Sequence, residues 1–275
     1  MKRARFIIIA ILVFLISSAC AQMQSGTTGT SVSPVLTRIQ QRGELTVGTM
    51  GSMPPLNMTT KDGEIIGLEP DIARQMAEAM GVKIKFVTKP FSELLPALQS
   101  GAIDMILSGM TITPERNMKV AFVGPYFISG KAFLTKIKTI ADAREAVDIN
   151  SPNTKLVALK GSTSEAFAKK FIDKATLFTT PTYDEAVDMV LKDTVQAMIA
   201  DYPICVVSVF RYPEAGLLSV ITPLTYEPLG IAVPPNDPLM INWTENALAN
   251  LKGSGRLDEL KLKWFARGSW LHQLK

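Results

Sequence analysis

The chain has 275 residues, of which 47% are hydrophobic, enough for one large or two medium-sized domains with apolar cores. The formal net charge is +4, but three basic residues lie in the first twenty positions, and the rest of the chain holds 26 basic against 25 acidic residues. No basic stripe therefore remains to indicate nucleic-acid binding. The single histidine, His272, argues against histidine metal sites and Ser-His-Asp triads.

The N-terminal segment has the pattern of an export signal. In residues 1–20, a basic stretch (KRAR) is followed by an apolar run (FIIIAILVFLI) and small residues (SSAC), as in secretory signal peptides. The apolar run is shorter than the roughly 20 residues of a membrane span, so a retained signal anchor is the less favoured alternative. We interpret Cys20 as a lipidation site, although AlaCysAla also suits ordinary signal cleavage. Residues 21–33 are polar and predict a flexible linker.

Segments typical of strands and helices alternate along the rest of the chain. The first half predicts strands over 44–49, 83–88 and 103–107 and helices over 69–81 and 91–101. The segment 122–135 lacks a helical period and is interpreted as a crossing between domains. The second half predicts strands over 155–160 and 195–200 and helices over 162–171, 182–192, 201–210, 236–255 and 254–265. This alternation predicts an α/β fold with parallel sheets covered by helices.

The stretch SGMTITPER follows the predicted strand IDMIL. In open α/β sheets, ligands bind beyond the carboxyl ends of the strands. Thr113 can cap a short helix, Gly109 lets the backbone approach a ligand, and Thr111 adds a hydroxyl group. The guanidinium of Arg116 can then form two parallel hydrogen bonds with a carboxylate. A surface arginine on a helical turn is the alternative reading.

Two further strand ends carry matching chemistry. Ser162 and Thr163 open a predicted helix whose free N–H groups favour an anion, although simple capping explains the same residues. Asp201 directly follows a predicted strand and could receive an ammonium group, or equally cap the next helix. One cation, one helix terminus and one anion together predict a site for a zwitterion bound through its α-carboxylate and α-ammonium.

Several motifs resemble those of family 3 periplasmic solute-binding proteins, the amino-acid receptors of ABC importers. They are GELTVGT, LLPALQSGAIDMILSGMTITPER, PYFISG, KGSTSE and the closing KWF, and the similarity spans about residues 42–265. The resemblance implies a two-lobed periplasmic-binding-protein-like (type II) α/β fold. Each lobe would be a mostly parallel sheet flanked by helices, and two crossover strands would join the lobes. The expected lobes are residues 34–130 with 229–275, and residues 131–228.

The resemblance also implies which residues hold the ligand in the cleft. Gly109, Thr111 and Arg116 would hold the amino-acid head from the first lobe. Thr163, with Ser162, would contact the carboxylate from the second lobe, and Asp201 would take the ammonium. Phe91 would flank the side chain.

The sequence departs from the family pattern beside the expected ligand side chain. Where the family often has an aromatic residue after the first strand, this chain has Met50, Met53 and Leu56, and the usual G-F-D reads Gly67-Leu68-Glu69. We expect Met53 and Glu69 to border the site, with methionine adapting to varied shapes, although the methionines fit a core role equally well.

The resemblance implies no cofactor and no metal. It implies a monomer outside the cytoplasm that delivers its ligand to an ABC permease in the inner membrane. The alternative is an enzyme, because cyclohexadienyl dehydratases resemble this family and use a glutamate in a G-T-x-E turn as general acid. Glu165 in GSTSE has a comparable place, but it also stands at capping-box spacing from Ser162.

Overall fold

The computed structural model describes residues 33–220, 223–266 and 268–274. The predicted signal, most of the predicted linker and Cys20 lie outside the described residues. Within the described residues, no helix combines the length and the hydropathy needed to span a bilayer.

The helices of the described chain are short to medium in length. They are α1 (Pro34–Arg42), α2 (Leu68–Met80), α3 (Phe91–Gln99), α4 (Pro114–Asn117), α5 (Lys138–Ala141), α6 (Thr163–Phe171), α7 (Tyr183–Leu191), α8 (Tyr202–Arg211), α9 (Pro238–Gly253) and α10 (Arg256–Lys261). A π-helical turn, Leu262–Ala266, continues α10. The longer predicted helices are confirmed to within a few residues. The pattern missed α1, which Ser33 caps and Pro34 begins.

The strands are grouped into three sheets. They are β1 (Glu44–Thr49), β2 (Ser52–Met53), β3 (Asn57–Thr59), β4 (Ile65–Ile66), β5 (Lys83–Thr88), β6 (Met105–Ile106), β7 (Ala121–Ser129), β8 (Lys131–Thr135), β9 (Lys155–Leu159), β10 (Thr176–Thr180), β11 (Ala197–Asp201), β12 (Leu218–Ser219) and β13 (Glu227–Val233). Strands β2, β3 and β4 form a small antiparallel sheet, which the sequence pattern did not predict.

Two five-stranded sheets form the centres of two lobes. Lobe 1 has the order β5-β1-β6-β13-β7, and lobe 2 has the order β10-β9-β11-β8-β12. In each sheet the first three strands are parallel, because helices connect them, and the last two pairings are antiparallel. The sheets are therefore mixed, with the parallel half ending in the loops that the sequence analysis singled out.

The chain passes between the two sheets twice, and the two crossings lie side by side. β7 continues through Gly130 into β8, and the return to lobe 1 enters β13 at Glu227, which pairs with Ser129 of β7. A side chain at Gly130 would collide with the carbonyl oxygen of Thr225, 2.3 Å from an added Cβ atom. Only glycine therefore lets the crossing strands approach so closely.

A buried carboxylate fixes the strands that lead to the site in lobe 1. Asp104 stands directly before β6 and is fully buried. It accepts hydrogen bonds from the Thr46 N–H of β1 at 2.8 Å and from Arg38 Nη2 of α1 at 2.8 Å, as well as one from Arg42. Asp104 thus ties α1, β1 and β6 together four residues before the loop at Ser108.

We predict that Asp104→Asn lowers the free energy of unfolding by about 2–4 kcal/mol, because two arginines and one N–H would then face an amide instead of a carboxylate. Urea denaturation measures the loss. The matched control is Asp142→Asn, which removes an exposed ion pair with Lys138 and should cost less than about 1 kcal/mol. Equal losses in the two variants would contradict the role given to Asp104.

Candidate functional site

Three strand ends meet where the two lobes face each other. The loop after β6 carries Ser108 to Arg116, the loop after β9 carries Gly161 to Thr163, and β11 ends at Asp201. Because β6 belongs to lobe 1 and β9 and β11 belong to lobe 2, the site is assembled from both lobes.

Arg116 lies on the short helix α4 and reaches both lobes. Thr113 caps this helix by accepting a hydrogen bond from the Arg116 N–H at 3.2 Å. Nη1 donates to the Thr111 carbonyl of the same loop at 2.9 Å, and Nη2 donates to the Gly161 carbonyl of lobe 2 at 3.2 Å. The guanidinium also lies 5.4 Å from the ring centre of Phe91, within cation–π range. These contacts hold the cation in one orientation.

Burial lowers the pKa of Arg116, and the negative charges of Asp201 and Glu227 oppose that change. An arginine remains cationic at neutral pH in any case. The positive group of lobe 1 and the two carboxylates therefore lie within electrostatic reach of one another.

A hydroxyl pair joins the lobes beside Arg116. The Oγ1 atoms of Thr111 and Thr163 are 3.4 Å apart, and Thr163 Oγ1 donates to Glu227 Oε2 at 3.1 Å. The site thus runs from the lobe 1 loop through the start of α6 to the second crossing.

The ammonium of Lys131 lies between two carboxylates, Asp201 at the end of β11 in lobe 2 and Glu227 at the start of β13, where the chain returns to lobe 1. Its Nζ is 3.0 Å from Asp201 Oδ1 and 3.4 Å from Glu227 Oε2. Ser129 Oγ adds a weak bond to the same Asp201 oxygen at 3.4 Å. The lysine and aspartate side chains are at most 5% exposed, so these charges are shielded from bulk water.

A cavity of about 520 Å³ opens between the lobes. Lobe 1 lines it with residues that include Met50, Ser52 and Thr88, and lobe 2 contributes Thr182, Asp184 and Arg211. Met50 connects this cavity to the loop after β6, because its N–H donates to Ser108 Oγ at 2.8 Å.

The sequence model for bacterial extracellular solute-binding proteins, family 3, matches residues 45–267. The chain belongs to this family. Family membership agrees with the two-lobed α/β fold and with a site between the lobes.

Individual members support the same assignment. A probable histidine-binding protein of Neisseria gonorrhoeae is 28% identical over 233 residues, 80% of this chain and 82% of that protein. A solved putative ABC-transporter binding component from Wolinella succinogenes, complexed with lysine, has a TM-score of 0.80 and 39% identity over 84% of this chain and 99% of its own. An ancestral amino-acid-binding protein described as a precursor of cyclohexadienyl dehydratase has a TM-score of 0.77 and 37% identity over 85% of this chain and 100% of its own. A cyclohexadienyl dehydratase of Pseudomonas aeruginosa is 26% identical over 66% of this chain and 70% of the enzyme.

Glu69, which the sequence analysis expected to border the site, makes its contacts inside the protein. Its carboxylate accepts hydrogen bonds from the Gly109 N–H at 2.5 Å, from Asn57 Nδ2 at 2.5 Å and from the Tyr126 hydroxyl. Glu69 is fully buried beneath the loop that it was expected to join in binding. In this structure Glu69 holds Gly109 in place. The Gly109 N–H donates to Glu69.

Gly109 and Met53 pack directly together. Gly109 has a φ of +58°, a left-handed conformation that favours glycine, and an added Cβ atom would lie 2.3 Å from Met53 Sδ. Met53 is 1% exposed and therefore supports the loop from below. Phe91 is also buried, under the Arg116 guanidinium.

Ser162 and Glu165 act as helix-capping residues. The Ser162 hydroxyl donates to the Leu159 carbonyl at 2.7 Å and accepts from the Glu165 N–H at 3.1 Å, so it serves the turn and α6. Glu165 accepts from the Gly161 N–H at 2.6 Å and from Lys169 at 2.5 Å. Thr163, in contrast, directs its hydroxyl to Glu227 and Thr111.

Lys131 and Glu227 were not predicted from the sequence. Both stand at strand starts in the crossings, where the pattern is irregular. The signal that could have found them is a charged residue at the edge of an apolar run, Lys131 before AFL and Glu227 before PLGIAV. A charge at such a point needs a partner, because an isolated buried charge is very costly.

The geometry of Glu69 predicts a pH dependence of stability. Burial raises the pKa of its carboxyl above 4.5, and hydrogen bonds from Tyr126, Gly109 and Asn57 oppose that rise. The native state therefore binds the proton more tightly than the unfolded state, so the free energy of unfolding falls as pH rises from 4.5 through the native pKa. The slope can reach about 1.4 kcal/mol per pH unit.

We predict that the difference in unfolding free energy between wild type and Glu69→Gln declines with rising pH across that range, measured by urea denaturation at a series of pH values. Tyr126→Phe removes one of the hydrogen bonds that lower the Glu69 pKa. The free energy of unfolding of this variant should therefore keep falling to a higher pH than that of wild type. A difference that does not vary with pH would show that Glu69 is charged throughout.

Proposed function

We propose that this protein captures an amino acid between its lobes and delivers it to an ABC importer. The observation that carries the proposal is that the candidate site places opposite charges on the two lobes, Arg116 on lobe 1 and Asp201 on lobe 2, within electrostatic reach of each other. An α-amino acid presents a carboxylate and an ammonium on one carbon and matches this arrangement.

Arg116 supports carboxylate recognition. Two of its five N–H donors serve the Thr111 and Gly161 carbonyls, which leaves three donors on a fixed planar group. The Thr111 and Thr163 hydroxyls lie alongside. A carboxylate can accept two parallel hydrogen bonds from such a group.

Asp201 supports ammonium recognition. The bonds that it receives from Lys131 and Ser129 both end on Oδ1, and among the described residues Oδ2 takes no hydrogen bond from the protein. Oδ2 is therefore the acceptor that we assign to the ligand ammonium. The ligand side chain would extend past Met50 toward the interlobe cavity.

The relatives support an amino-acid ligand, since they include proteins named for histidine and complexed with lysine. Capture would follow the hinge mechanism of two-lobed binding proteins, in which the ligand stabilises the closed form by its differential affinity. The bonds from Arg116 to Gly161 and from Thr111 to Thr163 would then form only on closure.

An enzyme of the cyclohexadienyl dehydratase type is the second candidate, favoured by the relationship to such an enzyme. It would need Glu165 as a general acid with a pKa near neutrality. Burial acts to raise the pKa of Glu165, but the hydrogen bonds from Lys169 and Gly161 outweigh it and lower that pKa. Glu165 is therefore better suited to capping α6 than to donating a proton.

A thermal-shift panel of the twenty amino acids tests the proposal. An amino acid at 100 times its Kd should add about 2.7 kcal/mol of stability. Incubation with prephenate or arogenate, followed by detection of an aromatic product, tests the enzyme. If no amino acid raised the melting temperature and an aromatic product formed, the protein would be an enzyme and not an amino-acid-binding protein.

We also propose that Cys20 becomes a lipid-modified N-terminus, with the segment up to Ser33 as a tether. The expected result is a mature chain that starts at Cys20, partitions into the membrane fraction and carries the mass of attached acyl chains. Mass spectrometry of the purified membrane-fraction protein measures this. A lipid-free mature chain that starts after Cys20 would contradict it.

Arg116 and Asp201 together form the proposed clamp on the ligand carboxylate and ammonium, and this clamp predicts a crossed pattern of binding losses. Arg116→Ala should cost about 2–5 kcal/mol of binding free energy, and Arg116→Lys a smaller part of it, because an ammonium cannot replace the planar fork. Asp201→Asn should cost a similar amount for an amino acid but little for its deaminated analogue. Calorimetric titration of each variant with both compounds measures the pattern.

The control for these titrations is Arg256→Lys, since Arg256 pairs with Glu259 on α10 and lies outside the proposed site. Its affinities should stay within about twofold of wild type, which is about 0.4 kcal/mol. Equal losses for both compounds in Asp201→Asn, or unchanged binding in the Arg116 variants, would contradict the clamp.

A further inference from the structure

Lys131 occupies an unusual position for a lysine. It is fully buried at the first residue of β8, directly after the Gly130 crossing. Its partner Glu227 is the first residue of β13, directly after the second crossing, and its other partner Asp201 ends β11. Three strands therefore bring one cation and two carboxylates together at the point where the lobes join.

In this triad of Lys131, Asp201 and Glu227, three of the four carboxylate oxygens already accept hydrogen bonds from the protein. Glu227 accepts from Thr225 on Oε1 at 3.0 Å and from Thr163 on Oε2 at 3.1 Å, besides its contact with Lys131. Asp201 uses Oδ1 for Lys131 and Ser129. The triad thus presents one carboxylate oxygen, Asp201 Oδ2, and carries one net negative charge.

The charges of the site are balanced only when the ligand carries both a carboxylate and an ammonium. The carboxylate of a bound zwitterion would neutralise Arg116, and the triad would then hold one buried negative charge without a partner. A single ammonium restores neutrality. A buried charge that lacks a partner is strongly unfavourable, so the number of charges in the triad bears directly on affinity.

We propose that Lys131 is a specificity-determining residue that, with Glu227, sets the net charge of the ammonium subsite at minus one. This inference rests on the proposed amino-acid function and deepens it. Lys131 contacts Asp201 from inside the protein and does not itself touch the ligand. Glu227 offsets Lys131, so that Asp201 keeps its attraction for the α-ammonium. Both residues act through Asp201 and are therefore positioning residues.

Paired substitutions distinguish a charge-setting role of Lys131 and Glu227 from a purely structural one. Glu227→Gln leaves Lys131 opposite Asp201 and brings the subsite to neutrality, so an ammonium loses its attraction. Adding Lys131→Met removes the excess positive charge and returns the subsite to minus one. A residue that only stabilised the hinge would behave in the opposite way, because a second substitution in the same buried cluster would add further damage.

The experiment measures binding by calorimetry with two pairs of probes. They are L-glutamine with 4-carbamoylbutanoic acid, and L-arginine with 5-guanidinopentanoic acid, each pair differing only in the α-ammonium. The proteins are wild type, Glu227→Gln, Lys131→Met/Glu227→Gln, and Lys136→Met as control. Lys136 directly follows β8 and forms an ion pair with Asp193.

We expect Glu227→Gln to lower the affinity for the amino acids by about tenfold or more and the affinity for the deaminated acids by less than about threefold. The double variant should regain amino-acid affinity to within about threefold of wild type. Lys136→Met should match wild type. Urea unfolding checks that each variant is folded, and Lys131→Gln/Glu227→Gln removes the same charges while keeping a donor for Asp201 if the methionine variant does not fold.

Two results would overturn the inference. One is a double variant that binds amino acids no better than Glu227→Gln, and the other is an equal loss for both members of a probe pair in Glu227→Gln. Either result leaves amino-acid binding by wild type intact. Failure of the proposed function looks different, because wild type would then bind neither probe amino acid nor any other in the panel.

Discussion

The ammonium of Lys131 between Asp201 and Glu227 is the interaction on which the rest of the site depends. Lys131 and Glu227 begin the two strands that carry the chain into lobe 2 and back into lobe 1, and Asp201 pairs with Lys131 across β11 and β8. The joint between the lobes and the lobe 2 half of the site are therefore built from the same residues. A change in the angle between the crossings would alter the position of the carboxylates, so their placement and the lobe geometry are coupled.

Burial of such a triad is costly in free energy, and an apolar cluster of the same volume would often be equally stable or more stable. The surrounding polar groups reduce the cost, because Thr163, Thr225 and Ser129 complete the hydrogen bonds of the carboxylates. The arrangement is more easily explained by recognition than by stability. An apolar cluster could not provide a fixed negative charge for a ligand.

The sequence predicts the parts of the fold that follow from periodicity. The helix α2 has its apolar residues Ile72 and Met76 on one face and ends before Gly81, and the structure confirms it. The small sheet of β2, β3 and β4 was missed because its strands have only two or three residues, too few for an alternating pattern. The helix α1 was missed although Ser33 and Pro34 provide a start signal, because its polar lead-in was interpreted as linker.

The site was predictable to the extent that local motifs fix it. The loop with Gly109, Thr111 and Arg116 follows its strand directly, so its place at the strand end follows from the chain order. The detailed roles did not follow, because they depend on partners that are distant in sequence. Glu69 binds Gly109, forty residues away, and Lys131 contacts Glu227, at the other crossing. A sequence pattern shows which groups stand at strand ends but not which of them pair with each other.

The contact between Gly109 and Met53 joins the loop that carries Thr111 and Arg116 to the segment that borders the interlobe cavity. Met53 belongs to β2, which follows the loop containing Met50 at the interlobe cavity, and its sulfur lies where a side chain at position 109 would have to be. Glu69 fixes the same glycine through its N–H. A residue of different shape at position 53 would therefore displace the loop that carries Thr111 and Arg116. Because cores respond to volume changes of a single methylene group, the walls of the cavity and the clamp cannot vary independently.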